Sequence, residues 1–146
     1  MDTSRTPQLR TIRLSACLAL LLSSATPAPA LSISDQHARE IALRWLTLVD
    51  VGNYGDAYEQ QPPRIRAGKM KEQFVRWMLV RRTPLGYARS RTFLRVVHTH
   101  QLIGAPDGDY QKILFKTSFE HRALALEFVV LTSETGSWHV SGYALR

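Results

Sequence analysis

Between Ser34 and Gly52 the apolar residues Ala38, Ile41, Ala42, Trp45, Leu48 and Val49 recur at i, i+3, i+4, i+7, i+10 and i+11. Only a helix puts residues at that spacing on one side. The stretch therefore predicts an amphipathic helix over about 35–51 with Trp45 at the centre of its stripe. Ser34 is placed to cap its start and Gly52 to close its end in a left-handed turn. Arg39, Glu40, Arg44 and Asp50 lie mostly off the stripe, toward water. A stripe built around a tryptophan needs a broad apolar partner. The C-terminal third of the chain supplies one, so the fold must join this helix to that region.

The rest of the chain follows in order. Asn53 and Asp56 stand three apart, as a cap and third-position acid do, and start a short second helix with Tyr54, Ala57 and Tyr58 on its apolar side. Pro62 and Pro63 end it, and Arg64 to Gly68 reads as a basic connector. A third helix is expected over about 69–82, with Met70, Phe74, Trp77 and Met78 as its buried stripe and Arg81 and Arg82 favourably placed in its last turn. Thr83-Pro84-Leu85-Gly86 breaks the helical pattern. Beyond it, about 88–103 is β-rich and Gly104 to Asp109 is a turn. Tyr110 to His121 alternates, with Ile113, Phe115, Thr117 and Phe119 on one face and Lys112, Lys116 and Glu120 on the other. Ala123 to Ser133 is more continuously apolar, as a strand covered on both faces would be. Trp138 to Leu145 reads as a last strand with Trp138, Val140, Gly142 and Ala144 facing one way. Three helices followed by about four antiparallel strands make an α+β fold, with the helices packed on one face of a curved sheet.

The first thirty residues do not belong to that domain. Arg5, Arg10 and Arg13 form a basic start, Leu14 to Ala25 is an apolar run broken only by serines and one cysteine, and Ala28-Pro29-Ala30 offers small residues for cleavage. This is the anatomy of a secretory signal peptide cut after Ala30, and the run falls short of the ~20 residues a membrane span needs. Leu14-Ser15-Ala16-Cys17 looks like a lipoprotein box, but the apolar run lies after Cys17 rather than before it, so we read the match as chance. The whole chain carries a net charge of +7. Residues 31–146 keep 16 of its 19 Lys and Arg and 11 of its 12 Asp and Glu, which leaves +5. They lose Cys17, the single cysteine, so disulfides, thiol catalysis and cysteine-ligated metals are excluded from the domain. An exported domain without disulfides must stand on its apolar core, which ~115 residues can build.

Candidate chemistry is sparse. His98 and His100, two apart in an expected strand, share a face as a zinc pair would, yet no third ligand can be named, so no metal or cofactor is expected. Glu127 lies inside Leu124 to Leu131, where a carboxylate is costly without a cation. It reads either as a salt bridge to Arg82 or Arg91 that pins helix to sheet, or as a base in a cavity with Asp50 and Tyr54 at its mouth. Segment 64–95 holds ten basic residues, Arg81, Arg82 and Arg91 among them, against one acid, Glu72. It is a solvated face or a surface for an acidic ligand; nucleic acid is not expected for an exported protein. Glycine-rich phosphate loops, serine-nucleophile elbows and HExxH are all missing from the sequence.

Several stretches together resemble a known family. Trp45-Leu46 with Asp50 and Gly52 to Tyr54, Arg82 to Gly86, Pro106 to Tyr110, Glu127 in an apolar strand and Gly136 to Tyr143 occur in the order found in domain of unknown function 4019, an exported bacterial family. The resemblance covers roughly 36–145, and the RxPLG joint and GxWxVxGY ending are its most specific parts. It implies a fold of the nuclear-transport-factor-2-like (NTF2-like) or cystatin-like kind. It supplies no catalytic residues, because the family has no established activity. The expectation is a periplasmic or secreted protein that binds or assembles in the cell envelope and is not an enzyme. The candidate binding residues are Arg81, Arg82, Arg91, Glu127, Asp50 and Tyr54, toward an acidic ligand or an envelope component. The alternatives are a pocket isomerase or hydrolase working through Glu127 or Asp50, and a homodimer that pairs its sheet faces.

Overall fold

The computed structural model describes residues 32–146. The expected signal peptide and Cys17 lie outside the described residues. Helix α1 spans Ile33–Asp50. Its cap is Ser32, whose hydroxyl accepts from the Asp35 amide at 3.0 Å, and not the expected Ser34. Ser34 sits in the first turn, where its Oγ accepts from Nε2 of Gln111 on the sheet at 3.0 Å. At the other end Gly52 has φ +77°, the left-handed closure expected of it, and the Asn53 amide bonds back to the Leu48 carbonyl. The buried face of α1 is Ala38, Ala42, Trp45, Leu46 and Val49. Leu46 widens the stripe beyond the expected set, because α1 is packed against α2 as well as against the sheet.

Helix α2, Tyr54–Glu59, starts on Asn53, whose side chain accepts from the Asp56 amide, and buries Tyr54, Ala57 and Tyr58. Residues expected to form a plain connector instead make α3, Pro63–Gly68. Pro63 sits in its first turn, where a missing amide proton costs nothing. Helix α4, Lys71–Arg82, buries Phe74 and Met78 and half-buries Trp77. Met70, expected on that stripe, is instead the extended residue before the helix and is 64% exposed. The described residues thus hold four α-helices rather than three. A single 3₁₀ turn, Thr83–Leu85, carries the chain into the sheet.

Strands β1 (Ala88–Thr99), β2 (Tyr110–Phe119), β3 (Ala125–Thr132) and β4 (His139–Leu145) form one antiparallel sheet in the order β1-β2-β3-β4. The β-rich run therefore stops at Thr99, short of the expected 103. In β2 the alternation is as expected, with Ile113, Phe115, Thr117 and Phe119 buried and Lys116 exposed. In β3, Ala125, Glu127, Val129 and Leu131 are buried while Leu126, Phe128 and Val130 are only half-buried. The helices cover one face of that strand, not two. β4 departs from strict alternation. A register shift between Val130↔Gly142 and Leu131↔Val140 inserts an extra residue, so Val140 and Tyr143 share the inner face and Gly142 and Ala144 do not.

Helix α1 packs against all four strands. Trp45 is at the centre of the contact, 1% exposed, and its indole N–H donates to the Ala57 carbonyl of α2 at 2.8 Å. One side chain thus fills the space over the sheet and ties α1 to α2. Its polar atom is satisfied inside the core, as a buried indole requires.

Candidate functional site

Four of the six candidate residues converge in one place. Asp50 is the last residue of α1, Arg82 the last of α4, Arg91 lies on β1 and Glu127 on β3. Glu127 is fully buried. Its Oε2 accepts from Arg91 Nε at 2.6 Å and from the Thr117 hydroxyl, and its Oε1 accepts from the Tyr143 hydroxyl at 2.7 Å. The remaining nitrogens of Arg91 reach Asp50, with Nη1 to Oδ2 at 2.8 Å and Nη2 to Oδ1 at 3.0 Å. Arg82 completes the chain. Its Nη2 donates to Asp50 Oδ1 at 2.8 Å and its Nη1 to the Gly86 carbonyl at 2.6 Å, while the guanidinium lies 4.3 Å from the Phe119 ring centre. Two carboxylates and two guanidinium groups alternate, so the buried array is neutral in charge.

The local sequence explains each placement. An acid at a helix C-terminus opposes the helix dipole, so Asp50 depends on the two arginines that meet it. Arg82 sits at the favourable end of α4. Gly86, with φ +73°, leaves room only for a hydrogen, since a Cβ there would stand 2.7 Å from Cβ of Glu120. That close turn is what presents the Gly86 carbonyl to Arg82. Thr117 and Tyr143 reach Glu127 diagonally, because Phe115 and Leu145 are its direct cross-strand partners.

The same geometry sets the protonation of the array. Burial pushes the Asp50 carboxyl up, but hydrogen bonds from Arg91 and Arg82 and their two charges outweigh it and hold the group below the usual carboxylate range. Burial opposes the charge of Arg91, and its bonds to Asp50 and Glu127 more than restore it. Tyr143 is pushed well above an ordinary phenol, first by burial, then by the charge of Glu127 and the hydrogen bond donated to it. Tyr143 also packs its ring 5.4 Å from that of Trp45 and 6.4 Å, edge-on, from that of Trp77, which couples the array to both long helices.

The other two candidates fall outside. Tyr54 lies within hydrogen-bond reach of the Thr83 hydroxyl at 3.3 Å, next to Arg82 but not in the array. Arg81 is exposed and stacks over Trp77 at 5.8 Å. His98 and His100 part company, one 2.6 Å from Asp35 and the other 2.8 Å from Asp109. Among the described residues no cluster of three or more His, Cys, Asp or Glu could hold a metal. The basic run 64–95 is divided among several acids and rings. Arg64 meets Glu134, Arg66 and Lys71 meet Glu59, and Lys69 joins Arg81 over Trp77.

A separate open pocket of about 810 Å³ lies beside α1. It is walled by Ile41, Arg44 and Trp45, by the Glu59 to Pro63 bend, and by the Thr135 to Val140 turn into β4. None of Asp50, Arg91 and Glu127 lines it.

The family model described as "Protein of unknown function (DUF4019)" matches residues 41–143. The chain belongs to the DUF4019 family. The match takes in the whole ion array, from Asp50 to Tyr143, and most of the pocket wall. No curated protein matches the chain. Among the described residues of this DUF4019 chain, no helix is long and apolar enough to cross a membrane.

A group whose native pKa is lowered adds stability above its unfolded pKa, and that stability is lost as pH falls through the native value. For Asp50 the unfolded value is about 3.9. Urea unfolding of Asp50→Asn should therefore show lower stability than the parent at neutral pH and a flatter dependence as pH falls below about 4. An acid profile identical to the parent would contradict the array as described.

Proposed function

We propose that this DUF4019 protein is an exported, non-enzymatic binding or assembly module of the bacterial cell envelope, its helices and sheet related as in NTF2-like folds. The observation that carries the reading is the engagement of Glu127. A general base must reach its substrate within about 3 Å or through one water. Both oxygens of Glu127 are taken by Arg91, Thr117 and Tyr143, and the side chain has no exposure. The Asp50 oxygens are likewise held by two arginines. This supports Glu127 as a structural salt bridge between strands, tied to the end of α1 through Arg91 and Asp50, over the pocket-enzyme alternative. The open pocket beside α1, away from these acids, supports ligand binding without chemistry on the ligand. Export rests on the basic start, apolar run and Ala28-Pro29-Ala30 of the first thirty residues.

One preparation tests both halves. The full chain is expressed in a bacterial host, fractionated, and its carboxylates are labelled under native conditions with a carbodiimide and an amine. The expected result is a periplasmic protein whose intact mass begins at Leu31, with Glu127 unlabelled while exposed acids such as Glu40 react. Cytoplasmic retention would overturn the export assignment, and a lipid-modified form beginning at Cys17 would replace cleavage after Ala30 by a membrane anchor. Labelling of Glu127 in the folded protein would restore the enzyme reading.

A further inference from the structure

The pocket beside α1 differs from the ion array in one respect: some of its polar side chains, Arg44 among them, are not used up by the protein. His37, Ile41 and Arg44 follow one another at i, i+4 and i+7, so α1 presents all three to the pocket. Among the described residues the side chains of Arg44, His37 and His139 take part in no hydrogen bond or ion pair. The single acid in the wall, Glu59, is already neutralised by Arg66 at 3.1 Å and Lys71 at 2.8 Å. The field in the pocket is therefore positive. Gln61, 5% exposed, forms part of the same wall, and its Oε1 is buried without a partner. Trp138, half-buried just before β4, gives the pocket an aromatic side, with Pro62, Pro63 and Val140 around it. The volume, about 810 Å³, lies within the range of about 300–1,000 Å³ typical of small-molecule sites.

We propose that this pocket binds a small organic anion whose flat ring lies against Trp138 and whose acid group is taken by Arg44. The proposal rests on reading the protein as a binding module and adds the class of its ligand. Arg44 suits the role because its planar fork matches a carboxylate, sulfonate or phosphate. The ring can be aromatic or that of a sugar acid, since both place an apolar face on an indole.

The test titrates the isotopically labelled protein, as recovered from cells expressing the full chain, and follows its indole and amide resonances. Three probes are compared: naphthalene-2-sulfonate, the uncharged 2-naphthalenemethanol, and glucuronate. Saturable shifts are expected at the Trp138 indole N–H and the amides of residues 135–140, with naphthalene-2-sulfonate binding at least about tenfold tighter than the alcohol. Arg44→Gln should abolish that preference while the rest of the spectrum and the melting temperature stay unchanged, since Arg44 is exposed and holds nothing else in place. Glucuronate binding with the same dependence on Arg44, in place of the sulfonate, would support the proposal and assign the ring to a sugar acid. The proposal is overturned if neither anion shifts Trp138, if the alcohol binds as well as the sulfonate, or if the preference survives Arg44→Gln. Such a failure in a periplasmic protein leaves the envelope-module reading intact. Cytoplasmic retention would break that reading without touching the pocket.

Discussion

A carboxylate with no exposure to water is tolerated only if the protein replaces the water's hydrogen bonds and supplies a counter-charge. Glu127 meets both conditions with three donors, and the donors come from the other three strands: Arg91 on β1, Thr117 on β2 and Tyr143 on β4. Arg91 then carries the requirement to the helices by holding Asp50 at the end of α1, and Asp50 holds Arg82 at the end of α4. The array forms only when both helix ends and all four strands are in register. Removing one partner of such a buried set costs about 3–5 kcal/mol, because the charge left behind has no replacement. That is comparable with the whole stability of many domains, so the array acts as a condition on the fold.

Around the array the packing is that of a two-layer protein. Trp45 fills the centre between α1 and the sheet, and the chain adjusts its strands to it. The extra residue near Ser141 turns Tyr143 inward, against Trp45 and toward Glu127. Two irregularities in β1, between Ala88 and Ser90 and between Phe93 and Arg95, similarly keep Arg91 and Phe93 on the inner side. Phe93 meets Phe115 edge-on at 6.0 Å. Bulges let a long edge strand change which side chains it aims inward without breaking its pairing.

These details mark where the sequence speaks and where it stops. The helical period of α1, the Asn53 cap, the Gly52 closure and the alternation of β2 are local signals, and each is set by residues within a few positions of one another. The need of Glu127 for a cation is also local, because a charge in an apolar run states its own requirement; Arg91 was one of two arginines that could answer it. Tyr143 and Thr117 were not legible as its partners. They are diagonal neighbours across strand pairs, and diagonal position depends on register and on a bulge that no periodicity announces. Thr117 did leave a trace, as one of two polar residues, with Gln111, on the otherwise apolar inner face of β2. Ser32 displaced Ser34 as the cap because Gln111, far away in sequence, takes the Ser34 hydroxyl. The pocket was invisible for the same reason: α1, the Pro62-Pro63 bend and the turn into β4 meet there only after folding.

In the proposed reading, binding and scaffolding fall to different groups of one charged chain. The acids that looked catalytic are used to join elements, and Arg44, a cation with no partner in the protein, faces an open pocket. The division depends on the coupling between Glu127 and Arg91. A double-mutant cycle on Arg91→Met and Glu127→Gln, read by urea unfolding at neutral pH, tests it most directly. The account predicts that each single change is severe and that the double mutant loses clearly less than the two combined, with a coupling of at least about 2 kcal/mol. Additive losses within about 0.5 kcal/mol would mean that the two side chains act independently, and the array would not be what holds this fold together.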